Sequence, residues 1–215
     1  MNVHFQSLSV VAVWGGLVLS EVPGNAGEER GFYVGADVGG TIAESVSLKE
    51  FPDAPPGGEV KFHPGARLSL NGGYRFNNWF SLGAETGYLF NMVKGADIAL
   101  SQTPLLGNVE FRLPNESPLE PFIGGGPGFS VTVITLDNDG LNGGSGVDGN
   151  AADAVFAWQA YGGVRYKINE RMSVGLLYKY FEADASRWNV SDTAQDIRFG
   201  RAHVHSFSAS FQVNF

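Results

Sequence analysis

From Gly31 to Phe215 the chain is written in segments where apolar and polar residues alternate, the pattern of a β-strand with one oily and one polar face. Eight such segments are predicted. In the first, Phe32, Val34, Ala36, Val38 and Ile42 face one way, and Tyr33, Gly35, Asp37, Gly39 and Thr41 the other. Ala66 to Phe76 sets Leu68, Leu70 and Tyr74 against Arg67, Ser69, Asn71 and Arg75. The third sets Phe80, Leu82, Ala84, Tyr88 and Phe90 against Ser81, Gly83, Glu85 and Gly87. Thr103 to Leu113 opposes Leu105, Val109 and Phe111 to Asn108, Glu110 and Arg112. Pro121 to Ile134 is rich in Gly and carries Pro127, which cannot donate to a ladder. Val155 to Lys167 opposes Phe156, Trp158, Val164 and Tyr166 to Gln159, Tyr161 and Arg165. The seventh opposes Met172, Val174, Leu176, Tyr178 and Tyr180 to Ser173, Gly175 and Lys179. The last is the tail, with Phe207, Ala209, Phe211, Val213 and Phe215 against Ser208, Ser210, Gln212 and Asn214.

The connections alternate in length. Long ones run from Ala43 to Pro64, Asn91 to Gln102, Thr135 to Ala154 and Ala183 to Arg201; short ones centre on Asn77, Asn115 and Asn169. An antiparallel meander then gathers the long loops at one end and the short turns at the other, as in a transmembrane β-barrel. The fold class expected is all-β, a closed eight-stranded antiparallel up-and-down transmembrane barrel. Gly72-Gly73-Tyr74-Arg75-Phe76 and Gly162-Gly163-Val164-Arg165-Tyr166 lead into turns in the same way, a trace of hairpin duplication.

Alternation alone does not say which face is outside, because a soluble lipocalin-like barrel has eight strands with its apolar face inward. Three features favour lipid outside. Phe76, Phe80, Tyr166 and Phe215 stand at strand ends beside short turns, as an interfacial girdle requires. The polar face is rich in Gly, suiting a crowded lumen. Its charges have both signs: Asp37, Arg67, Glu85, Glu110, Arg165 and Lys179. Eight strands leave an interior just filled by side chains, where charges must pair. These six residues are expected to form an ion-pair network that plugs the barrel.

Composition agrees. The 215 residues suffice for one barrel; charged residues make up 17%, and mean hydropathy is −0.05, as expected when each strand is half apolar. The net charge of −8 argues against nucleic acid as a partner. The absence of Cys excludes disulfides, Cys-ligated zinc and a thiol nucleophile. An apolar run from Leu8 to Leu19, too short to span as a helix, precedes Gly24-Asn25-Ala26. Residues 1–26 are therefore expected to be a cleaved signal peptide and 27–215 the barrel domain, although only His4 stands where basic residues are usual.

The tail resembles the C-terminal targeting strand of outer-membrane β-barrel proteins. That resemblance implies that Phe207, Phe211, Val213 and Phe215 form the signal read by the barrel-assembly machinery. With the paired hairpins and the stretch Pro121-Phe122-Ile123-Gly124-Gly125-Gly126-Pro127-Gly128-Phe129, the chain resembles the OmpA/opacity-type outer-membrane β-barrel family from about Gly31 to Phe215. The resemblance implies a monomeric, cofactor-free barrel of structural or surface-antigen type. It places the chain in the outer membrane of a Gram-negative-type bacterium, among membrane lipid, with a possible extracellular ligand on its loops. The peptidoglycan-binding domain of longer OmpA proteins has no counterpart here, so peptidoglycan anchoring is not implied.

Chemistry-bearing residues are few. His203-Val204-His205-Ser206, with Glu182 or Asp192 as an acid, could suggest a lipid A-modifying enzyme. Adjacent strand residues such as His205 and Ser206 point to opposite faces, however, so no activated Ser is expected. Asp137, Asp139 and Asp148 could attract calcium, but their spacing is not that of an EF-hand. His63 has no ligand partner at useful spacing. The leading expectation is a non-enzymatic scaffold with recognition on its loops. The alternatives are a narrow pore or small hydrophobic-solute channel, a lipid A-modifying enzyme, and a soluble lipocalin-like binder.

Overall fold

The computed structural model describes residues 30–50, 58–95, 98–136, 149–189 and 196–215. The expected signal peptide and the acidic residues Asp137, Asp139, Asp148 and Asp192 lie outside them. Twelve strands follow in chain order: β1 (Gly31–Ala43), β2 (Val46–Glu50), β3 (Glu59–Val60), β4 (Gly65–Arg75), β5 (Phe80–Met92), β6 (Ile98–Arg112), β7 (Leu119–Leu136), β8 (Gly149–Lys167), β9 (Met172–Ala183), β10 (Arg187–Asn189), β11 (Asp196–Phe199) and β12 (Ala202–Asn214). Eight close into an antiparallel barrel in the order β1-β12-β9-β8-β7-β6-β5-β4, the eight segments read from alternation. No helix among the described residues is long and apolar enough to cross a membrane; the crossing is made by strands.

The short turns form at the three places expected, and an Asn side chain closes each. Asn77 Oδ1 accepts from the backbone N–H of Trp79 (3.0 Å) and Phe80 (2.8 Å). Asn169 Oδ1 accepts from Arg171 (2.9 Å) and Met172 (2.8 Å). Asn115 accepts from Ser117 N–H at 2.9 Å and donates to Leu119 O at 3.0 Å. A short amide side chain thus replaces the missing backbone partner and tightens each reversal.

The loop end differs from expectation. β5 continues to Met92 and β6 begins at Ile98, so most of the second predicted loop is strand. β7 and β8 are 18 and 19 residues long, against roughly 10 needed to span a bilayer, so their hairpin projects well beyond the membrane edge. Segments of the first and fourth loops pair as a second sheet, β10-β11-β2-β3. The expected weak point at Pro127 is visible in the register: β6 and β7 pair at Leu106↔Gly128 and resume at Val109↔Gly125.

Side chains alternate across the wall as the lipid-facing reading requires. Val34, Val38, Leu68, Leu70, Leu82, Leu105, Ile123, Phe129, Leu176 and Phe207 are exposed on the outer face. The lipocalin-like alternative, with its apolar face inward, is overturned by this arrangement. At the turn end an aromatic run passes from Phe32 through Tyr74, Phe76 and Phe80 to Phe111, with successive ring centroids 5.0–5.7 Å apart. Such rings, apolar in body and tolerant of a polar edge, suit the lipid headgroup boundary.

Candidate functional site

All six charged residues named from the alternation lie in the lumen, each 8% exposed or less. They assemble as two groups. At mid-height, Lys179 Nζ lies 2.7 Å from Asp37 Oδ2 and 2.6 Å from Glu85 Oε1. Arg67 donates to Glu85 Oε1 at 2.8 Å, to Gln159 Oε1 at 2.7 Å and to Ser69 Oγ at 3.0 Å. Gln159 donates in turn to Glu85 Oε2 (2.9 Å) and Asn108 Oδ1 (3.2 Å). Two cations thus face two carboxylates, and β1, β4, β5, β6, β8 and β9 are joined through the lumen.

Nearer the turn end, Arg165 grips Glu110 in bidentate fashion, at 2.6 and 2.7 Å, with its guanidinium 3.8 Å from the centroid of the Phe122 ring. Glu120 lies 4.0 Å from Arg165 and 3.2 Å from Lys167. In a low-dielectric interior such pairs hold only because every charge has a counter-charge and further hydrogen bonds. The space left among Asp37, Glu85, Glu110, Arg165 and Lys179 is about 20 Å³, room for a single water. Tyr33 and Tyr161 fill the rest by lying over glycines: a Cβ on Gly83 would stand 2.5 Å from the Tyr33 hydroxyl, and one on Gly124 2.6 Å from that of Tyr161.

The polar network does not fill the whole barrel. Toward the loop end the inward positions include Leu89, Leu106, Val155, Ala157, Phe181, Ala183 and Val204, which form one apolar cluster. Above it Val46, Phe62, Val93, Leu100, Ile134 and Phe199 form a second, joining β2 and β11 of the loop sheet to the barrel rim. The ion-pair network thus occupies the lower part of the lumen, and the inward positions nearer the loop end are mainly apolar, with Thr41, Asn91, Gln102, Thr132 and Ser206 buried among them. Gln159, Asn108, Ser69 and Asn71 also belong to the network and were not singled out from sequence. Their polar-face positions were the only signal available.

The remaining sequence candidates are dispersed. Ser206 is buried and faces inward, while His205 stands on the outer wall. Tyr178 Oη is 2.6 Å from His205 Nδ1, and His205 Nε2 is 2.9 Å from Glu44. A carboxylate only accepts, so Nε2–H donates to Glu44 and, in the neutral ring, Nδ1 accepts from the phenol. The bond from His205 holds the Glu44 carboxyl below the usual carboxylate range, against a slight upward push from desolvation. His63 is exposed, and among the described residues no group of three or more His, Asp or Glu side chains converges as a metal site. Phe207, Phe211 and Val213 on β12, and Phe215 just beyond its end, lie on the outward face.

A closed eight-stranded cylinder with an apolar exterior and paired charges inside is a transmembrane β-barrel, since lipid tolerates only structures that satisfy every backbone group internally. Residues 10–215 match the family model described as outer membrane protein beta-barrel domain, and the chain belongs to that family. It is an outer-membrane protein of Gram-negative bacteria. No functionally curated protein matches it in sequence. Among solved structures it resembles Neisserial surface protein A at 19% identity, with 86% of this chain and 97% of that one covered and a TM-score of 0.57. The outer membrane protein OprG of Pseudomonas aeruginosa matches at 15% identity, 88% and 98% coverage and a TM-score of 0.58. The outer membrane protein AlkL, determined in lipid bilayers, matches at 13% identity, 93% and 97% coverage and a TM-score of 0.55. These likenesses concern the fold.

Proposed function

We propose that this protein is a non-enzymatic, monomeric scaffold that carries a recognition surface above the outer membrane. The observation that carries the reading is the double closure of the lumen. An ion-pair layer crosses it at mid-height, and an apolar stopper tied to the loop sheet fills it above. With short turns in the periplasm and long loops outside, the β10-β11-β2-β3 sheet and the projecting β7–β8 hairpin are what a ligand meets from outside.

The test is electrical. Purified barrel reconstituted in planar bilayers is expected to give no discrete conductance steps, and vesicles carrying it no faster release of a small hydrophilic dye. Stepwise conductance would replace the scaffold reading with a narrow pore. A lipid-modifying role finds no support in the inward Ser206 and outward His205. Mass spectra of lipid A from cells with and without the protein are expected to coincide, and a mass shift would reopen that reading. The C-terminal strand is proposed to address the assembly machinery: Phe215→Ala is expected to lower the amount of heat-modifiable barrel in the outer-membrane fraction without altering its synthesis.

A further inference from the structure

The outer wall has one sector unlike the rest. Trp158 on β8, Tyr178 and Tyr180 on β9, and His203 and His205 on β12 form a continuous outward ring cluster, with centroids 5.4–6.1 Å apart. The cluster meets the apolar belt at Phe207, 5.2 Å from Tyr178. Its polar atoms are set in fixed directions. His203 Nδ1 is 2.7 Å from the Tyr180 hydroxyl, which donates to Glu182 Oε2 at 3.1 Å. Glu44 holds His205, and Arg201 lies 3.1 Å from Asp184 and 3.8 Å from Glu182. An ordinary interfacial girdle rings a barrel. Here the outward residues at the loop ends of β4 and β5 are Ala66, Phe90 and Met92, which offer no such combination. Among the described residues the single outward Tyr88 on β5 bonds Ser101 at 2.7 Å, whereas the β8-β9-β12 side gathers five polar rings in contact.

Clustered amphipathic rings edged by carboxylates, imidazoles and a guanidinium are the chemistry that recognises a sugar. The C–H face of a pyranose lies on the rings, its hydroxyls meet the carboxylates and imidazoles, and a guanidinium receives a phosphate. The cluster faces sideways into the membrane boundary, with Phe207 and Phe211 continuing below it as a track for acyl chains. Arg201 is mostly exposed, and an exposed pair such as Arg201–Asp184 contributes little, so a phosphate can replace the carboxylate at small cost. We propose that this sector is a binding site for the phosphorylated saccharide headgroup of an outer-leaflet glycolipid.

The test uses the full barrel in an uncharged detergent, observed by native mass spectrometry with three probes: bisphosphorylated lipid A, monophosphorylated lipid A and dioleoylphosphatidylglycerol. Bisphosphorylated lipid A is expected to be retained most, monophosphorylated less, and phosphatidylglycerol, which has the phosphate without the sugar, least. Trp158→Ala with Tyr180→Ala is expected to weaken lipid A retention about tenfold or more, while Phe90→Ala on the far wall leaves it unchanged. Heat-dependent gel mobility checks that each variant is folded. If the double variant does not fold, Tyr180→Phe with Arg201→Gln takes its place. Equal retention of phosphatidylglycerol and lipid A, or retention unaffected by the sector variants, would overturn the proposal.

Discussion

The lower and upper halves of the lumen solve the same packing problem with opposite chemistry. Below, Asp37, Arg67, Glu85 and Lys179 fill the interior with charge, each meeting an opposite charge within 2.8 Å. Above, Leu89, Leu106, Phe181 and Val204 fill most of it with hydrocarbon, around a few buried neutral polar side chains such as Thr41, Asn91 and Gln102. The two meet at Arg67, whose guanidinium lies 5.8 Å from the centroid of the Phe181 ring. The difference lies in how each half tolerates change. A charged layer demands all its members, because losing one strands its partners in a dry interior. An apolar layer asks mainly for volume. The lower half therefore specifies a unique arrangement, and the upper half is free to vary in sequence while staying sealed.

The largest expected effect probes the charged half. Glu85→Gln leaves Arg67 and Lys179 short of a shared counter-charge and is expected to destabilise the barrel by about 3–5 kcal/mol, read from urea unfolding in lipid vesicles. A loss under about 1 kcal/mol would mean that water reaches the layer and the contrast between the halves is false. Removing the four charges together, with apolar residues of like volume at 37, 67, 85 and 179, is expected to cost far less than Glu85→Gln alone. The apolar half comes next. Phe181→Ala is expected to cost about 3 kcal/mol through the cavity it leaves, and Phe181→Leu less than about 1.5 kcal/mol. Equal losses for the two would show that shape and not volume rules there.

Smaller effects sharpen the boundary. Gly83→Ala pushes a methyl group against the Tyr33 hydroxyl and is expected to cost about 1–3 kcal/mol, with Tyr33→Phe relieving part of it. The smallest belongs outside the membrane. Because the Glu44 carboxyl titrates below its ordinary value when folded, its contribution is present above that value and fades as pH falls through the folded one. At so exposed a site it is screened to well under about 1 kcal/mol. Unfolding midpoints of the native protein and Glu44→Gln are expected to differ slightly at pH 7 and to converge in acid.

Much of this was legible in the chain because lipid makes the rule strict. Wherever one face meets hydrocarbon and the other a polar lumen, alternation is unbroken, as from Leu68 to Arg75 or Phe207 to Phe215, and face, strand count and turns follow. Asn77, Asn115 and Asn169 announced the reversals because their side chains close them. The upper lumen was hidden for the same reason. At Tyr88-Leu89-Phe90, Leu105-Leu106 and Tyr180-Phe181 both faces are apolar, so alternation vanishes and nothing distinguishes the inner residue. That loss of alternation at strand ends was itself the available signal. The loop sheet was missed because Arg187–Asn189 and Glu59–Val60 are too short to carry a period. The sector on the outer wall was half visible: His203 and His205 stood out, but Glu44, Trp158 and Tyr180 reach them only through the pairing of distant strands.

The seam between β1 and β12 has a consequence in time. It joins Tyr33 to Asn214 and Ala43 to Val204, positions separated by nearly the whole barrel sequence. Until those strands meet, every earlier hairpin exposes unpaired backbone edges to a solvent that cannot satisfy them, so a partly built sheet gains little from waiting in the hydrocarbon. Closure becomes the slow, nearly all-or-none event of the pathway, with a loop-closure entropy set by the longest contact in the molecule. Once shut, opening the seam would strand its backbone groups in hydrocarbon, so the barrel's persistence becomes a matter of rate as much as of equilibrium.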